Sequence, residues 1–159
     1  MSVHPETMSP RSADALWHFA VTDWARPEHA ERLIRLQDRH GIDPLLVLVA
    51  RWLASLDLGL ADNDAAALVA AHQPWLGAVI QPLRAVRRTL RREGAEGQLR
   101  DEVQRLELAA ERIGLERLHA VALQHARQGG AACDTMSAVL VASGLDSATA
   151  AAFIEQLCS

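Results

Sequence analysis

Residues 44–54, PLLVLVARWLA, hold a single charged side chain, Arg51, in a run that is otherwise apolar. A helix of this sequence is hydrophobic on every side, so it has no face to turn to water and must be enclosed by other elements. The uninterrupted part, LLVLVA at 45–50, is far too short to span a bilayer, which leaves the centre of a bundle. Its start is marked by Gly41-Ile42-Asp43-Pro44. Glycine is the natural left-handed stop of the preceding helix, aspartate the N-cap of the next, and proline the favoured first helical residue. The expectation is a central helix over 44–57.

The rest of the chain supplies the enclosure. No segment alternates with period two for long enough to make a strand, so every element reads as helix. Ser12 can cap a first helix whose apolar face is Ala13, Leu16, Trp17, Ala20, Val21 and Trp24. A second opens at Pro27 and carries Leu33, Leu36, Gln37 and His40 on its inward side. A helical region from about Asp62 to Glu93 contains Pro74 and Pro82, so it is either kinked or broken near His72 and restarted at Pro74. Beyond Gly94 and Gly97 a long helix runs toward Gly129, with Gly114 as a possible bend. Leu76, Val79, Leu83, Val86 and Leu90 on one arm, and Leu99, Val103, Leu106, Ala110 and Ile113 on the other, repeat at spacings of three and four. These seams predict an antiparallel hairpin over 74–128, with Leu90 facing Leu99 and Val86 facing Val103. Two short helices follow, one opening at Asp134 and one after Gly144-Leu145-Asp146. The reading is an all-α bundle of six or seven helices, with residues 1–11 a disordered tail and 12–159 a single domain.

Composition narrows the chemistry. All sixteen basic residues are arginine, and with no lysine the chain cannot form a Schiff base or build a P-loop. Cys133 and Cys158 lack metal-ligand or redox-pair spacing, so they read as reduced thiols of a reducing compartment. The polar N-terminus has no signal-peptide core. These features predict a cytoplasmic protein with no membrane segment, no metal and no cofactor. A net charge of −4 argues against a dedicated nucleic-acid partner.

Trp17 and Phe19, then LQD with Gly41 and Asp43, a leucine-rich helix ending Trp52-Leu53-Ala54, Trp75, PLRAVRR at 82–88 and ELAAER at 107–112 form a set of motifs. Over roughly residues 12–120 it resembles an uncharacterised family of small all-helical bacterial proteins, a domain of unknown function. The resemblance implies a bacterial cytoplasmic origin and adds no activity, substrate or cofactor.

Two groups of residues are candidate sites. Arg84, Arg87, Arg88, Arg91 and Arg92 form a stripe with no acid inside it, suited to phosphates or to an acidic partner; Arg88, Arg91 and Arg92 are the candidate anion-binding residues. The hairpin register offers the stripe another role, placing Arg84 near Glu107, Arg87 near Glu102 and Arg88 near Asp101. The second group is Gln37, Asp38, His40 and Arg51. A buried arginine must find acceptors, and Asp38 is the first choice for Arg51, Asp23 the second. The group reads either as a small-ligand or catalytic pocket or as a polar cluster fixing a helix junction. Glu116 and His119 are half of a di-metal motif with no second half, and Asp14, His18 and Thr22 fall on the wet side of the first helix. With no nucleophile context anywhere, the chain reads as a non-enzymatic interaction module whose partner is another protein or a second copy. An anion or nucleic-acid binder, and an enzyme or small-ligand pocket, are the alternatives.

Overall fold

The computed structural model describes residues 8–130 and 132–158, so most of the expected tail and the Cys158 thiol lie outside the described residues. Local rules set most helix ends. α1 (Ala13–Trp24) begins at Ser12, whose hydroxyl accepts the Ala15 N–H at 3.0 Å, a cap worth about 1 kcal/mol. α2 (Pro27–His40) stops where Gly41 enters the left-handed region at φ +68°, a conformation that costs glycine nothing because it has no Cβ. α3 (Pro44–Ser55) ends two residues before the expected limit, because Leu56 and Asp57 turn the chain into a two-residue strand, β1 (Leu58–Gly59).

Nine of the twelve residues of α3 are buried, and it packs against α1 and α2 and against two later helices, α6 (Gly94–His125) and α7 (Ala132–Ala142). Each fully buried Val, Leu or Ile contributes roughly 1.5–3 kcal/mol. Enclosing α3 is therefore the largest apolar gain available to this sequence. One buried apolar cluster extends from Leu16 in α1 to Leu157 in α8 (Ser147–Cys158). Among the described residues no helix is long and apolar enough to cross a membrane.

The hairpin exists, with different limits from those expected. Its first arm is one rod made of α4 (Asp62–Trp75), a π-helical turn at 76–80 and α5 (Gln81–Thr89). Pro74 does not end it. The Gln81 N–H bonds back to Leu76, five residues earlier, and this wider turn lets the chain absorb two prolines without breaking. The second arm, α6, runs unbroken through Gly114. A Cβ at Gly114 would lie 3.2–3.4 Å from Leu45, Ile80 and Trp75, so its absence lets α3 and the first arm close onto α6. Counting 62–89 as one rod, the described residues form seven helices.

The seam of the hairpin is not the expected one. Val103 and Ala110 are buried, but Leu99, Leu106 and Ile113 are exposed, and Glu107 and Gly114 take the inward positions beside Ala110. The set 103, 107, 110, 114 has the same spacings as the expected set but is rotated by one residue at two of its steps. On the opposite arm Leu83 and Leu90 are half-buried and Val86 is exposed.

One element lies outside the all-helix reading. Past α6 the chain forms β2 (Arg127–Gln128), antiparallel to β1 with Leu58 opposite Gln128 and Gly59 opposite Arg127. Here Gly59 and Gly130 approach so closely that a Cβ on either would stand 2.5–2.6 Å from the other's Cα. The Leu60 N–H donates to Thr135 Oγ1 at 3.1 Å. This small sheet ties the α3–α4 connection to the α6–α7 connection.

Candidate functional site

The four residues of the expected junction cluster have four different surroundings. Arg51 pairs with Asp23, Nη2 to Oδ1 at 3.0 Å, and His29 Nδ1 meets the same oxygen at 3.0 Å. Asp38 is exposed and pairs with Arg88 at 3.3 Å. Gln37 is half-buried beside Arg84, and His40 is exposed at the end of α2. The inward side assigned to Gln37 and His40 is occupied instead by His29, Leu33 and Leu36. In the Asp23 cluster, Asp23 Oδ2 and Arg51 Nη1 are buried without a partner.

The arginine stripe is also divided. Arg84 and Arg87 turn inward and are consumed by carboxylates, Arg88 holds Asp38, and Arg91 and Arg92 lie exposed at the α5–α6 turn. Arg84 does meet Glu107, at 3.4 Å, as the register required. Arg87 meets Glu107 as well, and not Glu102, because the rotation of α6 brings Glu107 into the seam. Glu116 lies 3.9 Å from Arg112, and His119 Nε2 donates to the Arg11 carbonyl at 2.6 Å. Among the described residues no group of three or more His, Cys, Asp or Glu side chains is placed to hold a metal ion.

The structure assembles a different polar centre from residues that sequence spacing left apart. Asp43, expected as an N-cap, makes no side-chain capping bond; the Leu46 N–H bonds to its backbone carbonyl. Its buried carboxylate instead accepts from Arg84 Nη2 at 3.0 Å through Oδ1 and from His72 Nε2 through Oδ2. Arg84 Nη2 also donates to Glu111 at 2.8 Å. Three carboxylates (Asp43, Glu107, Glu111) thus meet two guanidiniums and one imidazole, drawn from α3, α4, α5 and α6. The position of Asp43 at the N-terminus of α3 places its charge at the positive end of that helix dipole. Burial pushes the Arg84 pKa down, but Asp43 and Glu111 outweigh it and hold the group above its ordinary value. For Glu111 burial wins: it raises the carboxyl pKa against the lowering effect of Arg84. The hydrogen bond to Glu107 raises Arg87.

Arg84 and Glu111 are also the polar end of the largest cleft described. It holds about 550 Å³ between α1 and α6, with α3 as its floor. Trp17, Val21 and Trp24 form one wall, Leu108 and Leu115 the other, and Leu45 and Leu48 the base. Val21 and Trp24, expected to be covered as part of the apolar face of α1, are exposed here because α6 stands off from that end of α1. The cleft has the size and mainly apolar lining of small-molecule sites. Arg84 and Glu111 are the charged residues of its lining, and the other lining residues are apolar.

Sequence reasoning missed this centre as a unit: it read Asp43 as a cap and Arg84 with Glu107 as charges flanking the hairpin seam, and it gave His72 and Glu111 no role. The available signal was the pairing of Arg84 and Arg87, one turn apart, with Glu107 and Glu111, one turn apart on the facing arm. A family model described as "Protein of unknown function (DUF2390)" matches residues 15–118, and the chain belongs to that family. The polar centre and the cleft lie entirely within the matched stretch; α7 and α8 lie beyond it. No curated protein and no solved structure matches the chain.

Proposed function

We propose that this member of the family is a non-catalytic binding protein whose α1–α3–α6 cleft takes an apolar small molecule carrying one polar group. The observation that carries this reading is the cleft itself: about 550 Å³ of space, walled by two indoles and four leucines, ending on the Arg84–Glu111 pair. The rigid ion network behind Arg84 fixes where a polar group of the ligand meets the wall.

The test uses the intrinsic fluorescence of Trp17 and Trp24 and the neutral apolar dye N-phenyl-1-naphthylamine. Saturable dye binding with tryptophan quenching is expected. Leu108→Trp, at an exposed cleft position, should fill the space and weaken binding at least tenfold while leaving the helical signal unchanged. Non-saturable uptake, or binding indifferent to Leu108→Trp, overturns the reading.

A second reading rests on a separate observation. Leu99, Leu106 and Ile113 are exposed at seven-residue intervals along α6, the spacing that seats a helix against another helix. This supports the expectation of a protein partner or a second copy. Sedimentation velocity of the wild type and Leu106→Glu tests the second copy; a wild-type monomer at all concentrations removes it.

A further inference from the structure

We infer a second binding site, for a phosphate-class anion, in the groove where α8 lies along α2. The groove holds about 190 Å³ and is lined on the α2 side by Arg32, Arg35, Arg39 and His40, and on the α8 side by Thr149, Phe153 and Gln156. None of its lining residues is acidic, although acids outnumber arginines in the chain. The nearby acids are already engaged, one of them by the groove's own Arg35. Asp38 holds Arg88, Glu31 holds Arg35, and Asp146 caps α8 by accepting the Thr149 N–H at 2.9 Å and the Thr149 hydroxyl at 2.7 Å.

The four basic groups divide into two kinds. Arg32 donates to the Gln156 carbonyl in the last turn of α8, which explains it as a helix-docking residue. The Arg39 and His40 side chains make no hydrogen bond or ion pair among the described residues, and Arg35 has donors to spare beyond Glu31. Basic residues in the last turn of α2 complement its dipole, which accounts for their presence but not for the facing wall. Guanidiniums gathered in a concave, acid-free site concentrate positive potential and match the geometry of phosphate oxygens. Leu36, Leu145 and Phe153 line the same groove, which gives an organic substituent somewhere to lie. The volume suits inorganic phosphate or a small phosphomonoester and is too small to enclose a nucleotide. The site is independent of the apolar cleft, and α8 supplies a wall that lies outside the family match.

The test is titration of the full chain with inorganic phosphate and with phenyl phosphate at low ionic strength, followed by amide chemical shifts. Saturable shifts confined to α2 and to the 145–156 segment are expected, with phenyl phosphate binding the tighter. Arg39→Gln/His40→Gln should weaken both at least tenfold and keep the helical signal, since neither side chain holds the fold. Arg91→Gln/Arg92→Gln, which removes at least as much positive charge at an exposed turn, should leave binding within twofold. A phosphatidic acid vesicle arm separates sources: co-sedimentation lost in the α2 variant assigns the phosphate to a lipid headgroup, and its absence assigns it to a soluble ester. No saturation, or equal loss in both variants, overturns the site and leaves only screening by diffuse charge.

Discussion

Removing Arg84 should be among the most costly single changes in this protein. Its guanidinium meets Asp43 at 3.0 Å, Glu111 at 2.8 Å and Glu107 at 3.4 Å, and its side chain is only 9% exposed. Arg84→Ala does not strand the three acids equally. Glu107 keeps Arg87, and Glu111, at the edge of the cleft, can turn to water; Asp43, 1% exposed, keeps only His72. Breaking a buried pair by removing one partner costs about 3–5 kcal/mol. For a chain of this size that lowers the melting temperature by roughly 6–20 °C. Arg84→Met keeps most of the stem, whose three methylenes are worth about 2 kcal/mol when buried, so it should cost less by about that amount. Urea unfolding at pH 7 measures both. Adding Asp43→Asn to Arg84→Ala should cost less than Asp43→Asn in the wild type, because the guanidinium that Asp43→Asn would strand is already gone. A loss under about 1 kcal/mol for Arg84→Ala, or simple additivity in the double variant, refutes the view that this pair anchors four helices.

Three further outcomes follow from the same packing. Leu106→Ala, at a position 58% exposed, should change stability by less than about 0.5 kcal/mol, whereas Leu118→Ala, fully buried on the same helix, should cost roughly 2–5 kcal/mol; equal losses in urea unfolding would restore the seam expected from periodicity. Because the folded-state pKa of Glu111 is raised by burial, its contribution is fully present below the ordinary value of 4.5 and is lost as pH rises through the folded value. The stability difference between wild type and Glu111→Gln should therefore fall as pH climbs above 4.5, and a difference that grows over that range contradicts the assignment. Gly130→Ala places a Cβ 2.5 Å from the Gly59 Cα, so it should cost about 1–3 kcal/mol as an overpacking change, with the largest amide shifts at Leu60 and Thr135; an unperturbed Leu60 amide would mean that the two strands do not touch.

What the sequence settled by itself were the features decided within a few residues or by sheer hydrophobicity. Ser12, Gly41 and Asp146 act through backbone groups three or four positions away, so they punctuate the helices as read. The run at 44–54 has no polar face, so no arrangement other than central burial suits it. Tertiary structure decided wherever two solutions were locally equal. Leu99-Val103-Leu106-Ala110-Ile113 and Val103-Glu107-Ala110-Gly114 both have helical spacing. Glu107 wins an inward place only because Arg84 and Arg87 wait on the facing arm, while Gly114 permits closer approach than Ile113 would. Asp43 could have capped α3; it turns to Arg84 and His72, 41 and 29 residues away, because burial makes an unpaired guanidinium costlier than a missing cap. The two-residue strands have no periodicity to detect, and they pair only because α6 returns the chain beside Gly59. The cleft is a product of the same kind: Trp24 reads as core-facing and Leu108 falls outside the expected seam, and only the stand-off between α1 and α6 makes them opposite walls of one space.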